Sequence, residues 1–148
     1  MEKIVEELIK NNKTISTMES CTGGYIANLI TNVADASKVL KFSAVTYSNE
    51  YKIKMGIDKE IIDKYSVYST EVAIEMSKQI SEFSNSDYGI GITGKIDNND
   101  NEDNIVYISI YDKIQFHTIK LKITKKSRKE NKELIAKRVI SLLNEVLK

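Results

Sequence analysis

Apolar residues recur three and four apart at the start of the chain. Ile4, Val5, Leu8 and Ile9 predict a helix that ends near Asn11-Asn12. The period then changes: Thr14–Met18 alternates as a strand, and Tyr25–Ile30 returns to helical spacing through Ile26, Ala27, Leu29 and Ile30. Phe42–Tyr47 is rich in β-favouring residues and predicts a second strand, followed by a helix that Ser48 or Asn49 can cap. Ser69 is placed to cap the next helix, whose apolar face reads Val72, Ala73, Met76, Ile80 and Phe83. Tyr88–Thr93 is a short apolar strand closed by Gly94, and Asp97–Asn104, almost purely Asn, Asp and Glu, is a surface loop. Ile105–Tyr111 and Ile114–Ile123 predict a hairpin through Asp112-Lys113, and Ile135, Val139, Leu142, Leu143 and Val146 mark a last amphipathic helix.

Helices that alternate with strands, with an antiparallel hairpin added, predict an α/β class fold: a three-layer α/β/α, Rossmann-like sandwich on a mixed sheet. No repeat, linker or low-complexity boundary divides the 148 residues, so residues 1–148 read as a single domain.

Composition changes this picture little. Charged residues make up 29%, aromatics 7%, and the net charge is +1, so no global field favours nucleic acid or an anionic membrane surface. Basic residues thicken between Lys120 and Lys132, as a solvated helix approach or as a contact with a phosphate or an acidic partner. Cys21 is the only cysteine, which excludes an internal disulfide and suits a reducing compartment. No apolar run approaches the ~20 residues of a membrane helix, and the acidic, periodic N-terminus is unlike a signal peptide. The expectation is a cytoplasmic protein.

The candidate chemistry lies at strand ends, where α/β sheets bind ligands. Glu19-Ser20-Cys21-Thr22 ends the first strand, and Gly23-Gly24 opens the following helix. A tight turn of this kind presents backbone N–H groups at a helix start and can hold a hydroxyl nucleophile, an oxyanion or a phosphate. Ser20 needs a base. The single histidine, His117, lies inside a predicted strand far along the chain, which makes a Ser-His-Asp triad a poor reading. Lysine is the standard substitute where burial lowers its pKa. Lys52 falls one turn into the helix after the second strand, and Tyr47, at that strand's end, can relay a proton or hold the amine. The N–H groups of Cys21 to Gly24 can form an oxyanion hole.

Plainer alternatives stand beside each element. The Ser-Cys-Thr-Gly-Gly turn can be only a helix cap, Lys52 a solvated helix lysine, and Cys21 a nucleophile or a small buried filler. Glu19 can polarise a neighbour, bind a hydroxyl or cap. Thr93-Gly94 can be a strand-end turn or a substrate contact. Asp97, Asp100 and Asp103 lack the mid-loop glycine and closing glutamate of an EF-hand, so no metal site is assigned.

Glu19-Ser20-Cys21-Thr22-Gly23-Gly24, followed by Val45-Thr46-Tyr47-Ser48-Asn49 with Lys52, closely resembles the CinA C-terminal domain family, which includes the nicotinamide-nucleotide amidases, or nicotinamide mononucleotide (NMN) deamidases. Val67-Tyr68-Ser69-Thr70-Glu71-Val72-Ala73 is similar to that family's Val-Ser-Glu-x-Val-Ala helix start, and Arg128 with Lys132 to an arginine near its last helix. The resemblance spans almost the whole chain. It implies hydrolysis of the NMN carboxamide to nicotinate mononucleotide and ammonia, with Ser20 as nucleophile, Lys52 as general base and Tyr47 as supporting hydroxyl. It implies substrate contacts at Glu19, Cys21, Thr22, Gly23, Gly24, Asn49, Thr93, Gly94 and Arg128. It further implies no metal or organic cofactor, a small-molecule nucleotide substrate, no nucleic-acid or membrane partner, and a homodimer or higher homo-oligomer.

The chain also departs from the family pattern. A loop of the type Ile-Ala-Gly-Pro-x-Gly-Gly is replaced by Lys95-Ile96-Asp97-Asn98-Asn99-Asp100, Asn104 stands where glycine is usual, and Phe42-Ser43-Ala44 replaces a glycine pair. Four acidic residues between Asp97 and Asp103 oppose an anionic phosphate. Three readings follow. One is the amidase, a second is a degenerate family member that binds a nucleotide or protein without turnover, and a third is the same chemistry on a less anionic substrate.

Overall fold

Ile15–Glu19 forms β1, and every one of its five residues is buried although only Ile15 and Met18 are apolar. The cause is its place in the sheet. The strand order is β2-β1-β3-β4-β5, so β1 lies inside, with parallel partners on both sides and helices over both faces. This computed structural model describes residues 1–97, 104–123 and 127–148.

The elements run α1 (Glu2–Lys10), β1, α2 (Tyr25–Thr31), a single 3-10 turn (Ala36–Lys38), β2 (Leu40–Val45), α3 (Asn49–Lys54), α4 (Lys59–Tyr65) and α5 (Thr70–Ser84). Then come β3 (Tyr88–Gly94), β4 (Ile105–Tyr111), β5 (Phe116–Lys122) and α6 (Arg128–Val146). β3, β4 and β5 pair antiparallel, which makes the sheet mixed as the alternation of elements predicts. The fold is therefore a single-domain, three-layer α/β/α sandwich.

Side-chain alternation divides the core between two faces. Ile15, Ile90, Ile92, Val106, Ile108 and Ile110 pack with α1, α2 and α6. Met18 joins Ile57, Ile62, Val72, Met76 and Ile80 on the opposite face. There α5 lies almost on the sheet: a Cβ added at Gly89 would fall 2.0 Å from the Ser77 carbonyl oxygen, and at Gly91 2.4 Å from that of Ala73. Serines rather than large apolar residues fill the seam, with Ser77 Oγ 2.9 Å from Ser109 Oγ and Ser16 Oγ 2.7 Å from Ser84 Oγ.

That close approach corrects the predicted α5 face. Ser77 and Ser81 point inward with Ile80, and this rotation leaves Phe83 67% exposed, its ring 5.3 Å from Phe42 on the edge strand β2. Two boundaries also shift. β2 stops at Val45, so Tyr47 lies in the connection beyond it. The β4–β5 turn is longer than two residues, because Asp112 Oδ1 accepts the amides of Ile114 and Gln115 at 2.9 and 2.8 Å, and β5 begins only at Phe116. Helix α4 and the Ala36–Lys38 turn have too few apolar positions to stand out in the sequence. Among the described residues, no helix is long and apolar enough to cross a membrane.

Candidate active site

Alternation at the end of β1 sends Glu19 and Ser20 to opposite faces of the sheet. Glu19 points towards α2 and is fully buried. Its Oε1 accepts Thr22 Oγ1 at 2.6 Å and the Ile26 amide at 3.0 Å, while Oε2 accepts Thr17 Oγ1 at 3.2 Å and the Ala27 amide at 3.1 Å. The carboxylate thus satisfies amides at the start of α2 and ties the turn to the helix. The turn closes when the Gly23 amide donates to the Ser20 carbonyl at 3.0 Å. Gly23 and Gly24 both have positive φ, 60° and 93°, a conformation that favours glycine. A Cβ at Gly23 would come within 3.5 Å of Lys132 Nζ.

Ser20 faces the other way, towards α3. Ser48 caps that helix by accepting the Tyr51 amide at 3.3 Å, which settles the choice between Ser48 and Asn49. Around it Asn49, Glu50, Tyr51, Ile53 and Lys54 are exposed, and the one buried side chain of the helix is a lysine. Lys52 is 1% exposed; its Nζ donates to Ser20 Oγ at 3.0 Å and to the Thr46 carbonyl at 2.7 Å. Burial lowers its pKa to about 8. A neutral fraction is therefore present near neutrality, and the solvated-lysine alternative does not describe this residue.

Beside this pair lies a cavity of about 130 Å³ lined by Ser20, Cys21, Tyr47, Tyr68, Gly94, Ile96, Asp97 and Arg128. Gly94 must lack a side chain, since a Cβ there would sit 2.4 Å from the Ile105 carbonyl oxygen. Arg128 is the first residue of α6, whose start is capped by Ser127: its Oγ accepts the Glu130 amide at 3.1 Å and donates to Glu130 Oε1 at 3.0 Å. The guanidinium uses both ends, with Nη1 on Asp97 Oδ1 and Nη2 on Tyr47 Oη at 3.1 Å.

Several expected site residues take other positions. Tyr47 is 63% exposed and bonds Arg128, while the Thr46 carbonyl is what holds Lys52. Asn49 is exposed on α3 and does not line the cavity. The Thr93 hydroxyl is committed to the Val67 carbonyl at 2.9 Å, which pins the segment that carries Tyr68. The Gly23 amide closes its own turn and is unavailable to a ligand. Thr22 is buried against Glu19. Cys21 is buried too, and desolvation pushes its thiol up to about 12. His117 lies on β5, bonded through Nε2 to Asp112 Oδ2 at 2.9 Å at the far end of the sheet.

The sequence reading missed Tyr68, Ile96 and Asp97 as cavity lining. Tyr68 stood one residue before a cap, and Asp97 opened an acidic loop; neither position alone predicts a wall. Among the described residues no group of three His, Cys, Asp or Glu is arranged to hold a metal ion. Asp100 and Asp103, named with Asp97 as a possible cation loop, lie outside the described residues, as do Lys125 and Lys126 of the basic stretch.

A family model described as the CinA C-terminal domain matches residues 1–147. A CinA-like protein of Kosmotoga olearia is 47% identical over 96 residues, which cover 64% of this chain and 23% of that protein. The matched segment is thus under a quarter of that relative's length. Two solved structures share the fold. A competence-damaged protein (CinA) superfamily protein of Klebsiella pneumoniae superposes with a TM-score of 0.91 at 23% identity, covering 99% of this chain and 94% of that one. Its Escherichia coli counterpart gives 0.88 at 23% identity, covering 98% and 89%.

Proposed function

The chain belongs to the CinA C-terminal domain family, and on that footing we propose that it is an amidohydrolase, cleaving a linear carboxamide to the carboxylate and ammonia. The substrate we assign is the pyridine carboxamide of NMN or a close relative. The observation that carries this reading is a buried amine, its pKa lowered by desolvation, 3.0 Å from a serine hydroxyl at the mouth of a cavity. A cavity of about 130 Å³ is close to the size that accepts a single aromatic ring, so the ring and its amide enter while the ribose remains outside.

Neutral Lys52 accepts the Ser20 proton as Oγ attacks the amide carbon. The negative charge that develops on the carbonyl oxygen falls to turn amides other than that of Gly23. Collapse breaks the C–N bond, and Lys52 returns the proton to the departing nitrogen, releasing ammonia and leaving an ester on Ser20. Water then attacks the ester, Lys52 takes its proton, and the same proton restores the Ser20 hydroxyl as the carboxylic acid leaves. Glu19 holds the turn, and Tyr47 with Arg128 borders the ring's entrance.

Purified protein incubated with NMN and with its dephosphorylated riboside tests the reading, with ammonia as the readout. Release from either substrate is expected, and Ser20→Ala should remove it by several orders of magnitude. Equal release by both proteins, or none from any carboxamide, rejects the hydrolase.

A further inference from the structure

Arg128 is the cation among the cavity-lining residues, and both ends of its guanidinium are already engaged. Asp97, also a lining residue, presents its carboxylate to Nη1, and Tyr47 takes Nη2. An arginine recognises a phosphate through two parallel N–H donors. Here one of the two positions is held by the protein's own carboxylate. Lys95, close by, lies with its amine 5.1 Å from the centre of the Tyr68 ring.

We infer that Asp97 sets the charge of the substrate: it occupies the Arg128 fork as an internal anion, so the site takes a carboxamide that carries no phosphate. The inference rests on the amidohydrolase reading and narrows its substrate class. An uncharged or cationic head group meets two tyrosine rings and a carboxylate at the entrance, a setting that suits a pyridinium. A phosphorylated relative must instead displace Asp97 from Arg128 and bring like charges together. The pair is partly exposed, with side chains 46% and 62% accessible, so this is discrimination rather than exclusion.

The test compares kcat/KM for ammonia release from nicotinamide riboside and from NMN, in the wild-type protein and in Asp97→Asn. The wild type should prefer the riboside. Asp97→Asn should shift the ratio towards NMN by about tenfold, the order expected when one like charge a few ångströms away is removed near a protein surface, and the change should appear in KM rather than kcat. Preference for NMN in the wild type, or a ratio that Asp97→Asn does not move, overturns the inference. Calorimetric binding of both compounds to Ser20→Ala protein reads the same preference without turnover. Failure of catalysis with an intact binding preference would therefore sink the hydrolase reading alone.

Discussion

Lys52 Nζ stands 3.0 Å from Ser20 Oγ with its other contact on the Thr46 carbonyl, and no carboxylate pairs with it among the described residues. A charged ammonium gains little in that place. Burial lowers its pKa to about 8 because the protonated form is the one desolvation penalises. In the proposed mechanism the base is the neutral amine, so the active fraction grows as pH rises.

The rate of ammonia release should therefore climb by about tenfold per pH unit well below the Lys52 pKa and level off above about 8. Lys52→Arg keeps a cation but one that stays protonated. It should lose about 10²–10⁴-fold in rate with an unchanged far-ultraviolet dichroism spectrum. A wild-type profile flat between pH 6 and 9, on the order of the range in which such a lysine titrates, would remove Lys52 as the base.

Cys21 lies next to Ser20 and lines the same cavity, so its reactivity is a separate question. With the thiol pushed up to about 12, roughly one molecule in 10⁵ carries the thiolate at pH 7. Iodoacetamide should label the native protein very slowly and the urea-unfolded protein quickly, and Cys21→Ser should retain ammonia release. Rapid labelling of the native state with parallel loss of activity would transfer the nucleophile's role to Cys21.

Glu19 offers a stability test. Both carboxylate oxygens accept two donors each, so no orientation of a glutamine can satisfy all four: its NH₂ must face either Thr22 and Ile26 or Thr17 and Ala27. Glu19→Gln should cost about 2–3 kcal/mol, the range for hydrogen bonds to a charged group, and lower Tm by several degrees in thermal unfolding. An unchanged Tm would show that the carboxylate does not hold the turn.

The elements were legible where one residue type served one purpose. Ser48 and Ser69 announced their helices, and the apolar runs of β3 and β4 announced their strands. Lys52 was legible by elimination, since Ser20 lacked a histidine, and by the family resemblance of Tyr47-Ser48-Asn49 with Lys52; a lysine's burial leaves no mark on local spacing. What escaped were contacts between distant segments. Phe83 fits the helical period, yet α5 turns its serines to the sheet because Gly89 and Gly91 let the backbones meet. Asp97 reads as loop solvent-facing charge, and only α6 brings Arg128 to it. Tyr47 sits in the expected cluster, but its hydroxyl follows Arg128 and leaves the lysine to a backbone carbonyl.

The seating of α5 on β3 supports the last prediction. At Gly91 an added Cβ meets the Ala73 carbonyl oxygen at 2.4 Å, the Ser77 amide nitrogen at 2.6 Å and the Met76 Cβ at 2.8 Å. The first two are backbone atoms of a helix, which cannot rotate away as a flexible side chain would. Helix and strand must separate, and the serine contacts along the seam stretch with them. Gly91→Ala should therefore destabilise by about 3 kcal/mol, the upper end of overpacking costs, seen as a lower urea midpoint at unchanged slope. Because Thr93, two residues on, pins the Val67 carbonyl beside Tyr68, the same variant should also raise KM for the carboxamide. An unfolding free energy within about 0.5 kcal/mol of wild type, the scatter of substitutions away from packed sites, would mean that the helix does not rest on the strand as closely as these distances require.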